Sequence, residues 1–550
     1  MTDLQLSVLN DRYTLLGENT WQQVARRVAD NIGEDANERQ EFYEILDQMY
    51  FIPGGRILFA AGNPAKVTPY NCFVLPSPED SVDGIMESLR QWVEIQRRGG
   101  GVGINMSSLR PSGAFVAGVQ GYSSGPLAWM ELFSTATHRV IQQGGSRRGA
   151  AMLILNDDHP DILSFIQAKM QPGILLGANL SVNVSDRLME AVANDSSWEL
   201  KWQGEVWTTL RARALWDYII KSAWASGEPG VVFLERANKE ANSWYCEELI
   251  ATNPCAEQPL GAYAVCLLGA VNLQKMVNDR GEWDILLIHD VSSVATRMLD
   301  NIIDQAYYPL PESEIAQKRL RRIGIGTMGL ADALVSMGLR YGEDDAVYET
   351  GRAFENIKRS AYLTSANLAY SKGAFPAYDA KWLESPSVRS LGSGYVRYAG
   401  QHGVRNCYLT SQAPTGTIAK LAGVWGGIEP YFERTTYLTN RLGLNTIEAP
   451  DSPYLVTASE VSPAGHIKMM AEVQKHVDSA VSKTVNAPEE HTPEDTAETY
   501  KLAYDMGCKS VAYYRDKSRQ TQVQWANETD ARDAILEWEP GRCDISGVCQ

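Results

Sequence analysis

Short apolar runs alternate with amphipathic helical segments from about residue 68 to residue 515. The apolar runs include residues 150–155, 230–234 and 323–326. Between the last two runs, the apolar residues of segment 291–303 recur at helical spacing and form one stripe. Strands that alternate with helices in this way favour an α/β architecture with largely parallel strands.

Both ends of the chain depart from this pattern. Residues 1–60 are predicted to be helical, and Thr20 with Gln23 forms a capping box before an apolar helical face. After about residue 519 the sequence becomes polar and charged, and it ends in GRCDISGVCQ. We therefore expect an N-terminal helical region at 1–60, a main domain at 61–520 and a flexible tail at 521–550.

Charge and cysteine content limit the location and the partners of the chain. Its 550 residues carry a formal net charge of −17, whereas proteins that bind DNA or RNA are normally basic, so a nucleic-acid partner is not expected. Because no apolar run reaches the ~18–20 residues of a membrane span and no signal peptide is evident, we expect a cytoplasmic protein without a membrane partner. In a reducing compartment, its eight cysteines are either buried and inert or catalytic.

The segment Asn253-Pro254-Cys255-Ala256-Glu257 brings together an amide, a thiol and a carboxylate. The proline disfavours helix at Asn253 and suits a tight loop. In an extended segment, Cys255 and Glu257 point the same way, so the carboxylate could act as a base while the thiol does redox or radical work. The alternative interpretation is a loop cysteine beside a surface glutamate.

Four further cysteines could form two redox pairs. Cys72 and Cys266 each lie in a mostly apolar stretch, so they are either core residues or, if the fold brings them together, a pair that supplies two electrons. Cys543 and Cys549 lie near the end of the polar tail, where a packing role is not expected. A mobile arm could exchange its cysteines with a buried disulfide and then swing out to be reduced.

Three glycine-containing segments suit phosphate binding. They are Ala413-Pro414-Thr415-Gly416-Thr417-Ile418, the run from Arg97 to Ile104, and the run from Gly144 to Gly149. None of them is a Walker A or dinucleotide-binding fingerprint. Each is therefore either a ligand loop or an ordinary turn.

Together and in this order, these segments resemble the large subunits of ribonucleotide reductases. The resemblance runs from about residue 50 to 520 and includes YNCFVLPSPEDS, RGGGVGINMSSLRPSG, QGGSRRGAAM, NPCAEQPL, RRIGIGTMGLADAL, APTGTIAKLAG and VDSAVSKTVNAP. It implies a ten-stranded α/β barrel of two antiparallel halves, each with five parallel strands. A radical cysteine would lie on a loop through the barrel centre.

The resemblance implies a role for each motif. Cys255 is expected to carry the thiyl radical, Glu257 to deprotonate the ribose 3′-hydroxyl, and Asn253 to hold the ribose. Cys72 and Cys266 are expected to form a disulfide as the 2′-hydroxyl leaves as water. Thioredoxin or glutaredoxin would then reduce the enzyme through the tail pair.

Nucleotide contacts also follow from the resemblance, within an expected homodimer. A dNTP or ATP effector would bind near loops 142–148 and 170–179 at the dimer interface. The substrate contacts are expected to be Asn71, Gly100, Gly101, Pro414, Thr415, Gly416 and Thr417. The effector contacts are expected to be Arg139, Arg147, Arg148 and Gln171.

The sequence resembles two classes of the family that differ in the source of the radical. The step from Cys255 to Cys266 and the phrase GCKSVAYYRDKSR look like the adenosylcobalamin-dependent class. The adjacent Tyr513 and Tyr514, with the simple paired-cysteine ending, look like the class served by a small radical-generating subunit. We expect the small-subunit class, without a cofactor or metal bound by the chain itself, and with adenosylcobalamin as the alternative.

Other readings of the sequence are weaker. The short segment before Cys72 leads us to expect no ATP-cone, and the glycyl-radical class lacks an RVxGY-like segment near the C-terminus. A barrel hydrolase with Cys255 as an ordinary nucleophile would require a histidine base, and none lies near it in sequence. A silent nucleotide-binding regulator would not be expected to keep all the motif cysteines.

Overall fold

The computed structural model describes residues 1–141, 150–170, 173–440, 443–516, 518 and 524–536. It shows a mixed α/β protein with a helical N-terminal region, as the sequence predicts. The helices of the first half are α1 (Asp3–Arg12), α2 (Trp21–Ile32), α3 (Ala36–Asp47), α4 (Gly55–Ala60), α5 (Val82–Gln96), α6 (Pro126–Thr135), α7 (Ile162–Gln167), α8 (Asp186–Ala193), α9 (Ala212–Ser226) and α10 (Leu234–Lys239). The helices of the second half are α11 (Ile285–Gln305), α12 (Pro311–Leu320), α13 (Leu330–Ser336), α14 (Asp344–Lys372), α15 (Pro386–Arg389), α16 (Ser393–His402), α17 (Gly416–Ala422), α18 (Pro463–His476), α19 (Pro493–Asp505) and α20 (Glu528–Leu536).

The strands are mostly short. Those before residue 240 are β1 (Phe51–Pro53), β2 (Cys72–Val74), β3 (Gly101–Asn105), β4 (Phe115–Val116), β5 (Gly121–Tyr122), β6 (Ala151–Asn156), β7 (Asn179–Asn183), β8 (Ser197–Trp202), β9 (Glu205–Arg211) and β10 (Gly230–Val232). The later strands are β11 (Ala251–Thr252), β12 (Pro259–Leu260), β13 (Val265–Cys266), β14 (Leu268–Asn272), β15 (Gly324–Met328), β16 (Thr435–Asn440), β17 (Gly443–Glu448), β18 (Thr484–Ala487), β19 (Ser510–Arg515) and β20 (Gln524–Trp525).

Five strands form a parallel set in the order β2, β3, β6, β7 and β10. All five are largely buried, which suits strands with packed layers on both sides. The predicted run 230–234 is shorter than expected, because the strand ends at Val232 and α10 begins at Leu234.

A second parallel set contains β14, β15, β18 and β19. Two isolated β-bridges connect the β14–β15 pair to the β18–β19 pair. β14 pairs with β15, and Ile325 of β15 bridges to Thr410. Gln412 bridges to Val481, and β18 pairs with β19. The two sets meet through antiparallel pairs, β10 with β19 at one edge and β2 with β13 at the other.

The hairpin β11–β12 lies between the two sets. Thr252 of this hairpin packs against β3, where a Cβ on Gly103 would lie only 1.7 Å from the Thr252 carbonyl oxygen. On the opposite side, Ala480 donates its backbone N–H to the Glu257 carbonyl oxygen at 2.9 Å. Strands from both sets therefore surround the segment that carries the Asn-Pro-Cys-Ala-Glu motif.

Helices cover the outside of the strands. The predicted stripe at 291–303 lies in α11, which packs against α14, and its apolar side chains are buried. In α2, Thr20 forms the predicted capping box, and the predicted face is buried. No helix within the described ranges is long and apolar enough to cross a membrane.

The predicted C-terminal tail is partly structured. β20 pairs with β16 through Trp525 and Tyr437, and α20 packs against β16. Within the expected tail, residues 524–536 thus contain β20 and α20, and Trp525 is buried on this sheet. Cys543 and Cys549 lie outside the described residues.

Candidate active site

Backbone hydrogen bonds fix the loop of hairpin β11–β12. Asn253 and Gln258 close the loop, since the Asn253 N–H donates to the Gln258 carbonyl at 3.2 Å and the Gln258 N–H donates to Asn253 Oδ1 at 3.0 Å. Ala256 has a φ of 63°, which turns the chain sharply after Cys255. Asn179 holds the Pro254 carbonyl with a 3.1 Å hydrogen bond.

Cys72 and Cys266 are directly opposed. They are Cα partners in the antiparallel pair of β2 and β13, and both are buried. Directly opposite residues in such a pair have Cα atoms about 4.5–5.5 Å apart, which is within the range that a disulfide bridges. Asn253 Nδ2 donates to Cys72 Sγ at 3.1 Å, so the loop and this cysteine pair meet.

One cavity of about 850 Å³, including its open mouth, brings most of the motif residues together. Cys72, Cys255 and Glu257 lie in its wall. Its remaining lining residues are Arg12, Tyr13, Gly54, Gly55, Arg56, Asn71, Leu268, Gly269, Ala413, Pro414, Thr415, Gly416, Thr417 and Ile418. The structure thus assembles a thiol, a carboxylate and a Thr/Gly loop from segments far apart in the sequence.

Glu257 is fixed through its backbone and is 2% exposed. Its carbonyl oxygen accepts hydrogen bonds from Ser411 Oγ at 3.0 Å and from the Ala480 N–H at 2.9 Å. A carboxylate in so dry a place interacts strongly with any proton donor that enters the cavity.

The Thr/Gly loop is the start of α17. Thr415 caps this helix with a φ of 55°, and its Oγ1 accepts a 2.7 Å hydrogen bond from the Gly427 N–H. The N–H groups of the first helical turn have no partner within the helix. Thr415, Gly416 and Thr417 line the cavity, so this end of it offers hydrogen-bond donors.

Five lining residues from the N-terminal region were not predicted, namely Arg12, Tyr13, Gly54, Gly55 and Arg56. Arg12 and Tyr13 end α1, and Arg56 lies in α4. Arg56 is buried, with Nε donating to the Thr68 carbonyl at 3.2 Å and Nη2 to the Arg98 carbonyl at 2.7 Å. No local pattern distinguishes Arg12 from other helical arginines, so only the tertiary structure reveals it.

A second cavity of about 640 Å³, including its mouth, lies on another side of Cys255. Small residues form much of its wall, namely Ser181, Gly227, Gly230, Ala256, Ser510 and Ala512. Its two charged lining residues are paired, Glu228 with Lys169 at 2.8 Å and Lys483 with Glu429 at 2.5 Å. Burial lowers the pKa of Lys483, whose side chain is enclosed.

Tyr513 and Tyr514 lie on opposite faces of β19. Ser510 and Ala512 line the second cavity, and alternate residues of a strand share a face, so Tyr514 follows them on that side. Tyr513 faces α19 instead. Its hydroxyl lies 3.0 Å from both His491 Nδ1 and Thr496 Oγ1, and burial raises its pKa. Of this adjacent pair, which the sequence analysis expected to relay a radical, Tyr514 lies on the side of the second cavity and Tyr513 on the side of α19.

Gly100 and Gly101 are two further expected substrate contacts. Neither lines the main cavity. A Cβ on Gly100 would lie 2.6 Å from Ile95, and one on Gly101 would lie 3.1 Å from Pro254. These glycines permit close packing under α5 and against the loop, whereas Asn71 of the predicted substrate set does line the cavity.

The predicted effector residues are mostly outside the described ranges. Arg139 is exposed at the end of a π-helical turn, Ala136–Val140. Arg147, Arg148 and Gln171 are not among the described residues. Within the described part of the chain, no group of His, Cys, Asp or Glu side chains is arranged to hold a metal ion.

Comparisons with known proteins identify the family. The sequence-family model for the ribonucleotide reductase barrel domain matches residues 70–444 and 439–514. The family model for the ribonucleotide reductase all-alpha domain matches residues 1–66. A vitamin B12-dependent ribonucleoside-diphosphate reductase of Mycobacterium tuberculosis is 36% identical, covering 89% of this chain and 74% of the relative. One of Thermoplasma acidophilum is 34% identical, with coverage of 89% and 67%.

A third relative has a different description. The ribonucleoside-diphosphate reductase large subunit of Variola virus is 28% identical, covering 89% of this chain and 68% of the relative. The chain belongs to the ribonucleotide reductase family as a large catalytic subunit, an oxidoreductase of deoxyribonucleotide synthesis.

Proposed function

We propose that this chain reduces ribonucleoside diphosphates to 2′-deoxyribonucleotides through a thiyl radical on Cys255. The main observation in support of this activity is that Cys255, Glu257 and Cys72 line one cavity. In addition, Cys266 lies directly opposite Cys72. The diphosphate substrate is taken from the relatives, which are named ribonucleoside-diphosphate reductases.

The residues of the chain divide the reaction between them. The Cys255 thiyl takes the hydrogen atom from C3′, and Glu257 takes the proton of the 3′-hydroxyl. The 2′-hydroxyl leaves as water with a proton from the Cys72–Cys266 pair. Those two thiols lose two electrons and two protons and form one disulfide: one proton leaves in the water, and the other proton with the two electrons forms the new C2′–H bond. Glu257 returns its proton to the 3′-oxygen, and Cys255 returns its hydrogen atom to C3′.

The surroundings support these roles. Asn253 donates to Cys72 Sγ and accepts from the Gln258 N–H, so it ties the radical loop to the reducing pair and is placed to hold the ribose. Strand pairing supports a ten-stranded barrel, since both parallel sets join through antiparallel edges. We assign the barrel to residues 61–520 and the helical region to 1–60.

The phosphate end of the substrate lies at the start of α17 in this proposal. Pro414, Thr415, Gly416 and Thr417 line the cavity there and supply hydroxyl and N–H donors. Asn71, next to Cys72, lines the same cavity. The substrate would thus extend from the cysteines to the Thr/Gly loop.

For the radical source, we infer adenosylcobalamin rather than the small subunit favoured by the sequence. Small residues around the second cavity leave room beside Cys255, and its charges are already paired. Ser181, Gly230, Ser510 and Ala512 would hold the adenosyl group there. When bound, this cofactor would supply the oxidising equivalent that converts the Cys255 thiol to a thiyl. Two of the relatives described above are named as vitamin B12-dependent.

A small radical-generating subunit is the second candidate. Tyr514 lies on the β19 face that continues from the cavity beside Cys255, which is the observation in its favour. A relay through both tyrosines is less well supported, because Tyr513 bonds to His491 and Thr496 on the helical side.

Recycling and regulation complete the proposal. Cys543 and Cys549 would reduce the Cys72–Cys266 disulfide and would in turn be reduced by thioredoxin or glutaredoxin. A dNTP or ATP effector would bind a homodimer near Arg139 and the segments with Arg147, Arg148 and Gln171.

The purified chain tests both parts of the proposal. Reduction of CDP with adenosylcobalamin and dithiol alone would support the cofactor, whereas a strict requirement for a metal-bearing small subunit would refute it. Cys255→Ser should abolish turnover and keep effector binding. Multiple turnovers by this variant would refute the radical role. Tyr514→Phe should leave the cobalamin-driven rate unchanged, and loss of that rate would instead favour a tyrosine relay.

A further inference from the structure

The first helix forms part of the substrate cavity. Arg12 and Tyr13, at the end of α1, line the cavity together with Thr415 and Thr417. Gln5, near the start of α1, donates from Nε2 to the Leu421 carbonyl of α17 at 3.2 Å. The helix is therefore anchored to the same element that begins with the Thr/Gly loop.

Helix geometry explains why Arg12 reaches that loop. In α1, the distance along the helix axis from Gln5 to Arg12 is about 10 Å. In α17, the distance along the axis from Leu421 back to Gly416 is about 8 Å. Since Gln5 contacts Leu421 and Arg12 lines the cavity with the 413–418 segment, α1 runs back along α17. The Arg12 side chain thus lies near the first turn of α17.

Charge makes this position suitable for a phosphate. Among the residues lining the cavity, the basic side chains are those of Arg12 and Arg56, and the one acidic side chain is that of Glu257. Glu257 is two residues from Cys255 at the chemical end of the cavity. Arg12 is steadied by Asp11, whose Oδ2 lies 2.8 Å from Arg12 Nε, and its side chain is 14% exposed.

We propose that Arg12 binds the terminal phosphate of the substrate and makes the enzyme discriminate nucleoside diphosphates from monophosphates. A guanidinium binds phosphate oxygens with paired, charge-assisted hydrogen bonds, which lysine cannot reproduce. This inference rests on the proposed function, because it uses the cavity as the nucleotide site. It adds a specificity residue from the N-terminal region to the contacts in the barrel.

Calorimetric titration of CDP and CMP into the full chain tests the proposal. Arg12→Gln should weaken CDP binding about tenfold or more and leave CMP binding unchanged. Arg12→Lys should recover part of the CDP affinity, because it restores charge without the paired geometry. Gln5→Ala is the matched control, since it loosens α1 and keeps Arg12.

The possible results distinguish failure of the Arg12 proposal from failure of the proposed function on which it rests. If the wild-type chain binds neither CDP nor CMP, the nucleotide site itself is wrong. If wild type binds CDP and Arg12→Gln weakens CDP and CMP equally, as Gln5→Ala would, Arg12 only holds the helix and the inference is overturned. Unchanged CDP affinity in Arg12→Gln would overturn it as well.

Discussion

Cys72 of β2 and Cys266 of β13 face each other as direct partners in an antiparallel strand pair, although they are far apart in the sequence. Both cysteines are buried, and Asn253 donates a hydrogen bond to Cys72. Opposed cysteines in such a pair close a disulfide with little movement of the backbone. The strand register therefore places side by side the two thiols that would supply the two electrons of the proposed reaction.

We predict that one turnover converts this pair to a disulfide. A pre-reduced chain with Cys543→Ser and Cys549→Ser, given CDP, effector and the radical source but no reductant, should form at most about one deoxynucleotide per chain, because no tail pair can then reduce the new disulfide. Alkylation and peptide mass spectrometry should then show Cys72 linked to Cys266. Cys508, which is buried in the connection between α19 and β19, should stay a thiol and serves as the internal control. Full product formation by Cys266→Ser over many turnovers would contradict this assignment.

The sequence could identify these cysteines but not their register. Cys72 and Cys266 occur in apolar stretches whose local pattern is equally compatible with two unrelated core positions. Their pairing depends on β2 and β13 meeting at the edge of two parallel sets, which is a long-range arrangement. Local periodicity predicted elements such as β6 and α11 well, because those elements depend on their own burial pattern.

Glu257→Gln should lower kcat by about 10²–10⁴ while the KM for CDP changes little, because the amide keeps the shape of the side chain and loses the base. Steady-state kinetics at saturating effector measures both constants. The exposed Glu248, in the preceding loop, supplies Glu248→Gln as the control with unchanged kinetics. A Glu257→Gln enzyme with a normal kcat would remove Glu257 from the proton transfer.

Gly103→Ala should displace the β11–β12 hairpin and its loop, which carries Cys255. Its Cβ would lie 1.7 Å from the Thr252 carbonyl oxygen, so the hairpin must move away from β3. We expect a loss of about 1–3 kcal/mol in the free energy of unfolding and at least a tenfold lower turnover, since small misplacements of reacting groups are costly. Gly118→Ala, with nothing within 4 Å of the added Cβ, is the matched control. Equal urea midpoints for both variants would show that the loop tolerates the methyl group.

The sequence could not show the direction of side chains in three dimensions. Tyr513 and Tyr514 are neighbours in the chain, yet strand alternation sends Tyr513 to α19 and away from Cys255. Gly100 belongs to a phosphate-like run but packs against Ile95. Arg12 enters the cavity only because α1 docks on α17, a contact that no local motif announces.

Asp157 predicts a pH dependence of stability. Burial raises its pKa from 3.8 to about 7, although the Ser185 N–H and Oγ donate to its Oδ2 at 2.7 and 2.8 Å and partly offset that effect. The folded state therefore binds this proton more tightly than the unfolded state does. The resulting stability is fully present below about pH 4 and is lost as the pH rises to about 7.

Asp157→Asn should remove this dependence, because an amide cannot ionise and its oxygen still accepts from Ser185. Relative to wild type, the variant should gain stability as the pH rises from about 4 to 7, by up to about 4 kcal/mol. Urea unfolding at pH 4.5, 6 and 7.5 measures the difference between the two proteins, and Asp290→Asn at an exposed position is the control with a constant offset. An offset for Asp157→Asn that is equally constant across this range would mean that Asp157 ionises normally in the folded protein.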